Sequence, residues 1–137
     1  MIARRRLHRV VFVAAGLYNI VWGLYSVIYP QWVFRFTGMP LLNHPEVFAC
    51  LGMVIGLYGV VYLEVARCPE RGLVLAAVGL TGKIAGPLGM AWSIYRGAWP
   101  PLAALVCLTN DLIWWAPFGL YLHDAWRSLR HVPHQGP

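Results

Sequence analysis

Two apolar stretches of this chain each carry one charged residue near their centre. Residues 72–95 read GLVLAAVGLTGKIAGPLGMAWSIY, and residues 101–122 read PLAALVCLTNDLIWWAPFGLYL. Each stretch is long enough to cross a bilayer as a helix. Lys83 lies at the middle of the first stretch and Asp111 at the middle of the second. A charge at that depth costs roughly 2.5 to 3.5 kcal/mol on the mildest insertion scale, so we expect the two side chains to neutralise each other inside a helix bundle.

The composition of the whole chain agrees with a membrane protein. Hydrophobic residues make up 59% of the 137 residues and charged residues only 12%, whereas about a quarter of the residues in a soluble protein are charged. Two further apolar stretches, at 9–29 and 45–66, bring the predicted spans to four and leave little chain for a soluble domain. We therefore predict one all-α integral membrane domain over residues 1–137, built as a four-helix bundle.

Proline and glycine divide the chain between the predicted spans. Residues 30–38 begin with Pro30, end with Gly38 and contain three aromatic side chains. This pattern predicts a short interfacial helix that lies in the headgroup layer between the first and second spans. After Ala125 the chain lacks apolar periodicity, and we predict a mobile tail over 126–137.

Basic residues are concentrated on one side of the predicted bundle. That side carries Arg4, Arg5, Arg6, Arg9, Arg67, Arg71, Arg127 and Arg130, whereas the other side carries only Arg35 and Arg96. The asymmetry predicts that both termini are cytoplasmic. It also explains the net charge of +6 through insertion and contact with anionic lipid. No basic surface with interleaved aromatic residues is evident, which argues against nucleic acid as a partner.

Small residues form stripes on three of the predicted spans. On the third span the stripe is expected to pack closely against another helix backbone, and it consists of Gly79, Gly82, Gly86 and Gly89. Similar stripes occur on the other two spans, namely Gly16, Asn19, Gly23 and Ser26 on the first and Gly52, Gly56 and Gly59 on the second.

Several polar residues fall at the same depth as the two charges. Asn19 lies near the middle of the first span, and Thr81 and Thr109 are near enough to complete hydrogen bonds. We call the two charges and these polar residues the polar centre. At least one of Trp114 and Trp115 should face it, where the indole N–H needs a partner. The candidate ligand-binding residues are therefore Asn19, Lys83, Asn110, Asp111, Trp114 and Trp115.

Motifs of known catalytic and metal sites are missing from the sequence. Cys50, Cys68 and Cys107 form no C-x-x-C pair, and no histidine lies at a zinc-like spacing from them. A disulfide between Cys50 and Cys107 is geometrically allowed, although buried thiols are commoner. His8 and His123 lie near one membrane boundary and are interpreted as anchors, with haem ligation as the alternative. The sequence identifies no cofactor and favours a role other than catalysis.

The chain resembles the small DoxX-like membrane proteins of bacteria. The resemblance covers most of the chain and is carried by 29–40, by Gly-Leu-Thr-Gly-Lys at 79–83 and by Leu-Thr-Asn-Asp-Leu-Ile-Trp-Trp at 108–115. It implies four short spans in the bacterial inner membrane, and links to quinone-dependent thiosulfate oxidation or to oxidative-stress assemblies. Near relatives are sometimes labelled alkyl hydroperoxide reductase. This sequence lacks the P-x-x-x-T-x-x-C motif and the paired cysteines that such an activity requires.

Three interpretations of the polar centre follow from the sequence. In the first, the bundle is a binding or accessory module that encloses a lipophilic or quinone-like molecule, or docks on a membrane redox complex. In the second, it is a proton or ion carrier in which Asp111 changes protonation. In the third, the ion pair only fixes helix register in a structural subunit. The candidate protein partners are a membrane redox complex and further copies of this chain in a homo-oligomer.

The arginine asymmetry generates a test of orientation. Cys68 lies in the connection between the second and third spans, on the side assigned to the cytoplasm. We expect a membrane-impermeant maleimide to modify Cys68 only after cells have been opened. Modification of Cys68 in intact cells would reverse the orientation.

Overall fold

The structure is a computed structural model that describes residues 2–130, and all regular secondary structure in that range is helical. The helices are α1 (Arg5–Ile28), α2 (Trp32–Thr37), α3 (Pro45–Arg67), α4 (Leu73–Tyr95), α5 (Ala104–Asn110) and α6 (Trp115–Arg130), with 3-10 turns at Pro101–Ala103 and Leu112–Trp114. Four segments are long and apolar enough to cross a membrane: α1, α3, α4 and the composite Pro101–Arg130. The predicted four-helix membrane bundle is therefore confirmed.

The short helix predicted between the first two spans is present as α2. Gly38 ends it in the left-handed conformation, with φ of 72°, and its N–H is directed at the carbonyls of Arg35 and Phe34. The Gln31 side chain fixes the following loop by donating to the Leu42 carbonyl at 2.8 Å and accepting from the Leu42 N–H at 3.0 Å. The α2 helix is thereby held at the end of the bundle opposite the termini. We call that end the distal end, and the other the terminal end.

The fourth span differs from the continuous helix expected over 101–122. Its backbone is interrupted at Asp111, where φ is −126° and ψ is −60°. The Trp114 N–H bonds to the Asp111 carbonyl in a 3-10 turn, so it does not reach the Asn110 carbonyl. Asn and Asp side chains favour such breaks because they compete with the helix for hydrogen bonds. The interruption leaves a backbone acceptor at the centre of the bundle.

Helices α1 and α3 form the most extensive helix pair in the bundle. Their backbones meet at opposed glycines: a Cβ added at Gly16 would lie 2.8 Å from the Gly59 carbonyl oxygen, and one added at Gly23 would lie 2.5 Å from that of Gly52. No side chain fits at these points. The predicted stripes on the first two spans do pack against each other.

The glycine stripe on α4 does not pack as the sequence predicted. A Cβ at Gly79 would meet the ring of Tyr62, a side chain and not a backbone, and a Cβ at Gly86 would lie 3.4 Å from Asp111 Oδ2. Within residues 2–130, a Cβ at Gly82 or at Gly89 would meet no atom within 4 Å. The expected close packing is therefore wrong for Gly82 and Gly89, because the helix pair with the closest backbones is α1 and α3, leaving this face of α4 open.

The end of the chain is more ordered than predicted. Helix α6 continues to Arg130, so the expectation of a tail without structure is wrong for 126–130. The Arg130 guanidinium lies 5.2 Å from the Trp126 ring centroid, and a cation in the last turn interacts favourably with the helix carbonyls. The remainder of the predicted tail, 131–137, lies outside the described residues. Cys50, Cys68 and Cys107 are free thiols, so the disulfide alternative is not formed.

Glycines that touch another backbone and glycines that face open space can be compared with a matched pair of variants. Gly59→Leu should lower the free energy of unfolding by at least roughly 1 to 3 kcal/mol, because its side chain must enter the closed α1–α3 contact. Gly89→Leu makes the same chemical change where no such contact is present among the described residues, and should leave stability unchanged. Thermal unfolding in detergent measures both variants, and equal melting temperatures would contradict the packing described above.

Candidate functional site

Lys83 lies at the centre of the bundle, with only 4% of its surface exposed. Its Nζ donates to the backbone carbonyl of Asn110 at 2.6 Å, the acceptor that the helix interruption leaves free. Asn19 Oδ1 lies 3.5 Å from the same Nζ, and Asp111 Oδ1 lies 3.9 Å from it. The predicted buried ion pair is confirmed, but its two charges are at the outer limit of an ion pair. The closest partner of the ammonium group is a backbone oxygen.

Pro87 opens a second backbone acceptor at the same place. A proline has no N–H, so in a helix it leaves the carbonyl four residues earlier without its usual donor. For Pro87 that carbonyl belongs to Lys83, and it accepts a hydrogen bond of 2.9 Å from the indole N–H of Trp115. The two interrupted spans therefore satisfy each other: α4 donates through Lys83 to the fourth span, and the fourth span donates through Trp115 to α4.

Asp111 is buried, with 8% of its surface exposed, and its two oxygens have different surroundings. Oδ1 accepts from the Asn110 side-chain amide at 3.0 Å. Oδ2 lies towards Gly86, and no hydrogen bond to it is formed by residues 2–130. A carboxylate can accept several hydrogen bonds, so this group retains capacity for a further donor.

The remaining predicted residues divide into those that join the centre and those that do not. Asn19 joins it, and its amide nitrogen lies 3.4 Å from the Ile55 carbonyl. The Trp114 ring centroid lies 6.0 Å from Lys83 Nζ, but its buried indole N–H has no partner among the described residues, and neither has Asn110 Oδ1. Thr81 and Thr109 donate to carbonyls of their own helices instead.

A cavity of about 340 Å³, which we call the inner cavity, adjoins the polar centre. Asn19, Lys83, Asn110 and Asp111 line its polar end. Its other walls are mainly apolar, and at the distal end they include Trp22, Val33 of α2, Phe48 and Trp99. An apolar cavity with a few convergent polar groups is the usual form of a small-molecule site.

Two tyrosines of this site were not predicted from the sequence. Tyr62 is 2% exposed, and its ring centroid lies 5.6 Å from Lys83 Nζ, close enough for a cation–π interaction. Tyr58 lines the cavity wall one turn away on α3. The available signal was their spacing of four residues, which puts both on one face of α3 at the depth of Lys83. Tyrosine is enriched at membrane interfaces, so its presence alone does not indicate a buried site.

A second polar cluster, also missed, lies at the terminal end around Asp124. This carboxylate is 4% exposed and accepts from Arg4 at 2.7 and 2.8 Å. His8 Nε2 lies 2.8 Å from it and His123 Nδ1 lies 3.3 Å from it. Both histidines thus face one carboxylate, a geometry that does not fit paired haem ligands. The predicted fourth span ends at Leu122, so Asp124 was not considered as a partner for Arg4, although both lie at the same membrane boundary.

An aromatic layer separates the two polar clusters. Phe12, Phe118 and Tyr121 are fully buried and stack edge-to-face or tilted against one another, with centroids 4.4 and 4.8 Å from Phe12. Tyr62 packs perpendicular to Phe118 at 5.0 Å. Among residues 2–130, no chain of hydrogen-bonded side chains crosses this layer.

Comparisons of the chain with protein-family models, with curated proteins and with solved structures returned no match. The geometry of the polar centre and its cavity is therefore what a functional proposal must rest on.

The hydrogen bond from Trp115 to the Lys83 carbonyl predicts that the effects of substituting Trp115 and Pro87 are energetically coupled. Trp115→Phe should lower the free energy of unfolding by roughly 1 to 3 kcal/mol, because it leaves the Lys83 carbonyl buried without a donor. In a Pro87→Ala background the same substitution should cost less, since the N–H introduced at position 87 can bond to that carbonyl. The packing lost with the indole is common to both backgrounds and cancels in the double-mutant cycle.

Denaturant titration of the four proteins in mixed micelles measures the coupling. Trp22→Phe is the control, because Trp22 lies towards the distal end and makes no bond to Lys83. Strictly additive effects of Trp115→Phe and Pro87→Ala would show that the Trp115 hydrogen bond does not replace the one that Pro87 removes.

Proposed function

We propose that the protein is a membrane binding module that holds a lipid-soluble small molecule, with the polar head of that molecule at Lys83 and Asp111. The observation that carries the proposal is the cavity of about 340 Å³ that ends on these two side chains. In a bilayer, buried charges beside a cavity are costly and usually mark a functional site.

The chemistry of the polar end defines the head group. Asp111 Oδ2 has no donor among the described residues, so it suits a hydroxyl. The Lys83 ammonium carries three donors, one of which is engaged by the Asn110 carbonyl, and a second can bond to a carbonyl or hydroxyl oxygen. A ring that bears hydroxyl or carbonyl groups, as in a phenol, a quinol or a quinone, matches both requirements. The apolar walls match its hydrocarbon part.

Two features support binding over the other interpretations of the ion pair. A pair that only fixes register needs no cavity, and its charges would be expected to bond more closely than the 3.9 Å between Lys83 Nζ and Asp111 Oδ1. A proton carrier needs a polar route to both faces of the membrane. Towards the terminal end, the side chains of Phe12, Phe118 and Tyr121 fill the space between the polar centre and Asp124.

The cellular setting belongs to the same proposal. The DoxX-like resemblance and the arginine asymmetry support a bacterial inner-membrane protein with cytoplasmic termini. A head group that can be oxidised and reduced would fit docking on a membrane redox complex, and the exposed face of α4 leaves room for such a partner or for a second copy.

Paired substitution of the two charges tests the proposal. Lys83→Met or Asp111→Leu alone should destabilise the bundle by roughly 3 to 5 kcal/mol, since each strands the opposite charge. The double variant should recover most of this loss, apart from roughly 1 to 3 kcal/mol for the Asn110 carbonyl left without its donor. The recovered protein should nevertheless bind para-propylphenol roughly tenfold more weakly than the parent, measured by calorimetry in detergent.

Propylbenzene, which lacks the hydroxyl, is the control ligand and should bind parent and double variant equally. Mass spectrometry of organic extracts should recover a hydroxyl- or carbonyl-bearing lipid from the purified parent and less of it from the double variant. If a folded double variant bound para-propylphenol as tightly as the parent, Lys83 and Asp111 would have only a structural role, and the proposal would be wrong.

A further inference from the structure

A second, larger cavity lies on the surface of the bundle beside the polar centre. It has a volume of about 880 Å³ and runs between α3, α4 and α6. We call it the lateral groove; its walls include Val74 and Val78 of α4, and Leu122 and Trp126 of α6. Val74 is 70% exposed and Trp126 is 52% exposed, so the groove is open to the surrounding lipid.

The lateral groove and the inner cavity share two wall residues, Tyr58 of α3 and Gly82 of α4. These residues lie at one depth, because each is nine positions from the terminal end of its helix, Arg67 in α3 and Leu73 in α4. Lys83 follows Gly82 directly and lines the inner cavity. The shared wall therefore stands next to the polar head site.

At this wall the space that a side chain would occupy is empty. A Cβ placed on Gly82 would have no neighbour within 4 Å in the part of the chain that the structure describes. Every other residue type would add atoms at this position, between the two cavities. Gly82 therefore places no side chain between the inner cavity and the lateral groove.

The groove has the length and polarity of a hydrocarbon chain. From Gly82 to Leu73 it follows α4 for about 14 Å at the rise of an α-helix. Apolar side chains line most of this path. Its terminal end is marked by His123 and by Trp126, whose residue type is enriched at membrane interfaces. A single alkyl or isoprenoid chain can lie along it in contact with mostly apolar atoms.

We infer that the bound molecule is a single-tailed amphiphile: its head is held at Lys83 and Asp111, and its tail passes over Gly82 beside Tyr58 into the lateral groove. This inference rests on the proposed function and extends it from a head group to a class of ligand. The same path over Gly82 is the lateral route by which such a molecule enters from the bilayer. The wall that the two cavities share at Tyr58 and Gly82 favours this tail over a lipid unconnected to the site.

Placing a large side chain at Gly82 tests the inference. Gly82→Trp should fold like the parent, since its Cβ meets no described atom, and Gly89→Trp is the matched control on the same helix, away from both cavities. The two probes are para-propylphenol, which fits the inner cavity alone, and para-dodecylphenol with a diazirine at the end of its chain. Melting temperatures of both variants establish that they are folded.

Photolysis followed by peptide mapping locates the tail. In the parent, adducts should form on groove residues such as Val74, Val78 and Trp126, and excess para-propylphenol should suppress them by displacing the head. In Gly82→Trp these adducts should fall at least roughly tenfold further than para-propylphenol binding does, because the added ring obstructs the path of the tail and only borders the head site. Gly89→Trp should behave as the parent in both measurements.

Other occupants of the groove give different results. Groove adducts that persist in Gly82→Trp, or that para-propylphenol does not suppress, would assign the groove to bulk lipid and overturn the inference. Groove adducts that disappear only in a dimeric fraction would assign it to a second copy of the chain and also overturn it. In either case, para-propylphenol binding that depends on Lys83 and Asp111 would leave the proposed function standing. Its absence would remove both proposals.

Discussion

The bundle is organised around two backbone carbonyls that lack their helical donors inside the membrane. The Asn110 carbonyl is freed by the interruption at Asp111, and the Lys83 carbonyl by Pro87. The hydrocarbon region supplies no water, so each must be satisfied from within the protein. The ammonium of Lys83 and the indole of Trp115 do so at 2.6 and 2.9 Å. These bonds lock α4 to the fourth span at one register.

This arrangement changes the role of the buried charges. Lys83 is engaged first by a backbone oxygen, and Asp111 by the amide of Asn110, so neither charge is fully used by the other. The remaining hydrogen-bonding capacity faces the inner cavity. Each charge bonds mainly to a neighbouring group and only partly to the opposite charge. A ligand can therefore bind to both charges without breaking the bonds that hold the fold, and such preorganisation favours binding.

The glycines divide the bundle into a closed side and an open side. On α1 and α3, the close approach of two backbones makes these helices a closely packed pair, through Gly16, Gly23, Gly52 and Gly59. On α4, Gly82 has open space before it within the described chain, and α3 and α4 are separated there by a cavity. The same residue type thus builds a tight interface in one place and leaves open space in another. This division agrees with the proposed entry of a ligand from the lipid beside α4.

The sequence by itself determined the all-helical membrane class, the four spans, the short helix before Gly38 and the meeting of Lys83 with Asp111. Each follows from local rules: apolar length, punctuation by proline and glycine, and the cost of a lone charge in hydrocarbon. Only the tertiary structure decided which glycines are covered, that Asn110 offers its backbone to Lys83, and that Arg4 closes on Asp124 across the length of the chain. The physical reason is that a helix face looks the same in sequence whether it meets a backbone, a side chain or an open cavity. What each face contacts is decided by the rotation and tilt of the helices, which must bring a donor to each unpaired backbone carbonyl. That arrangement depends on all four spans together.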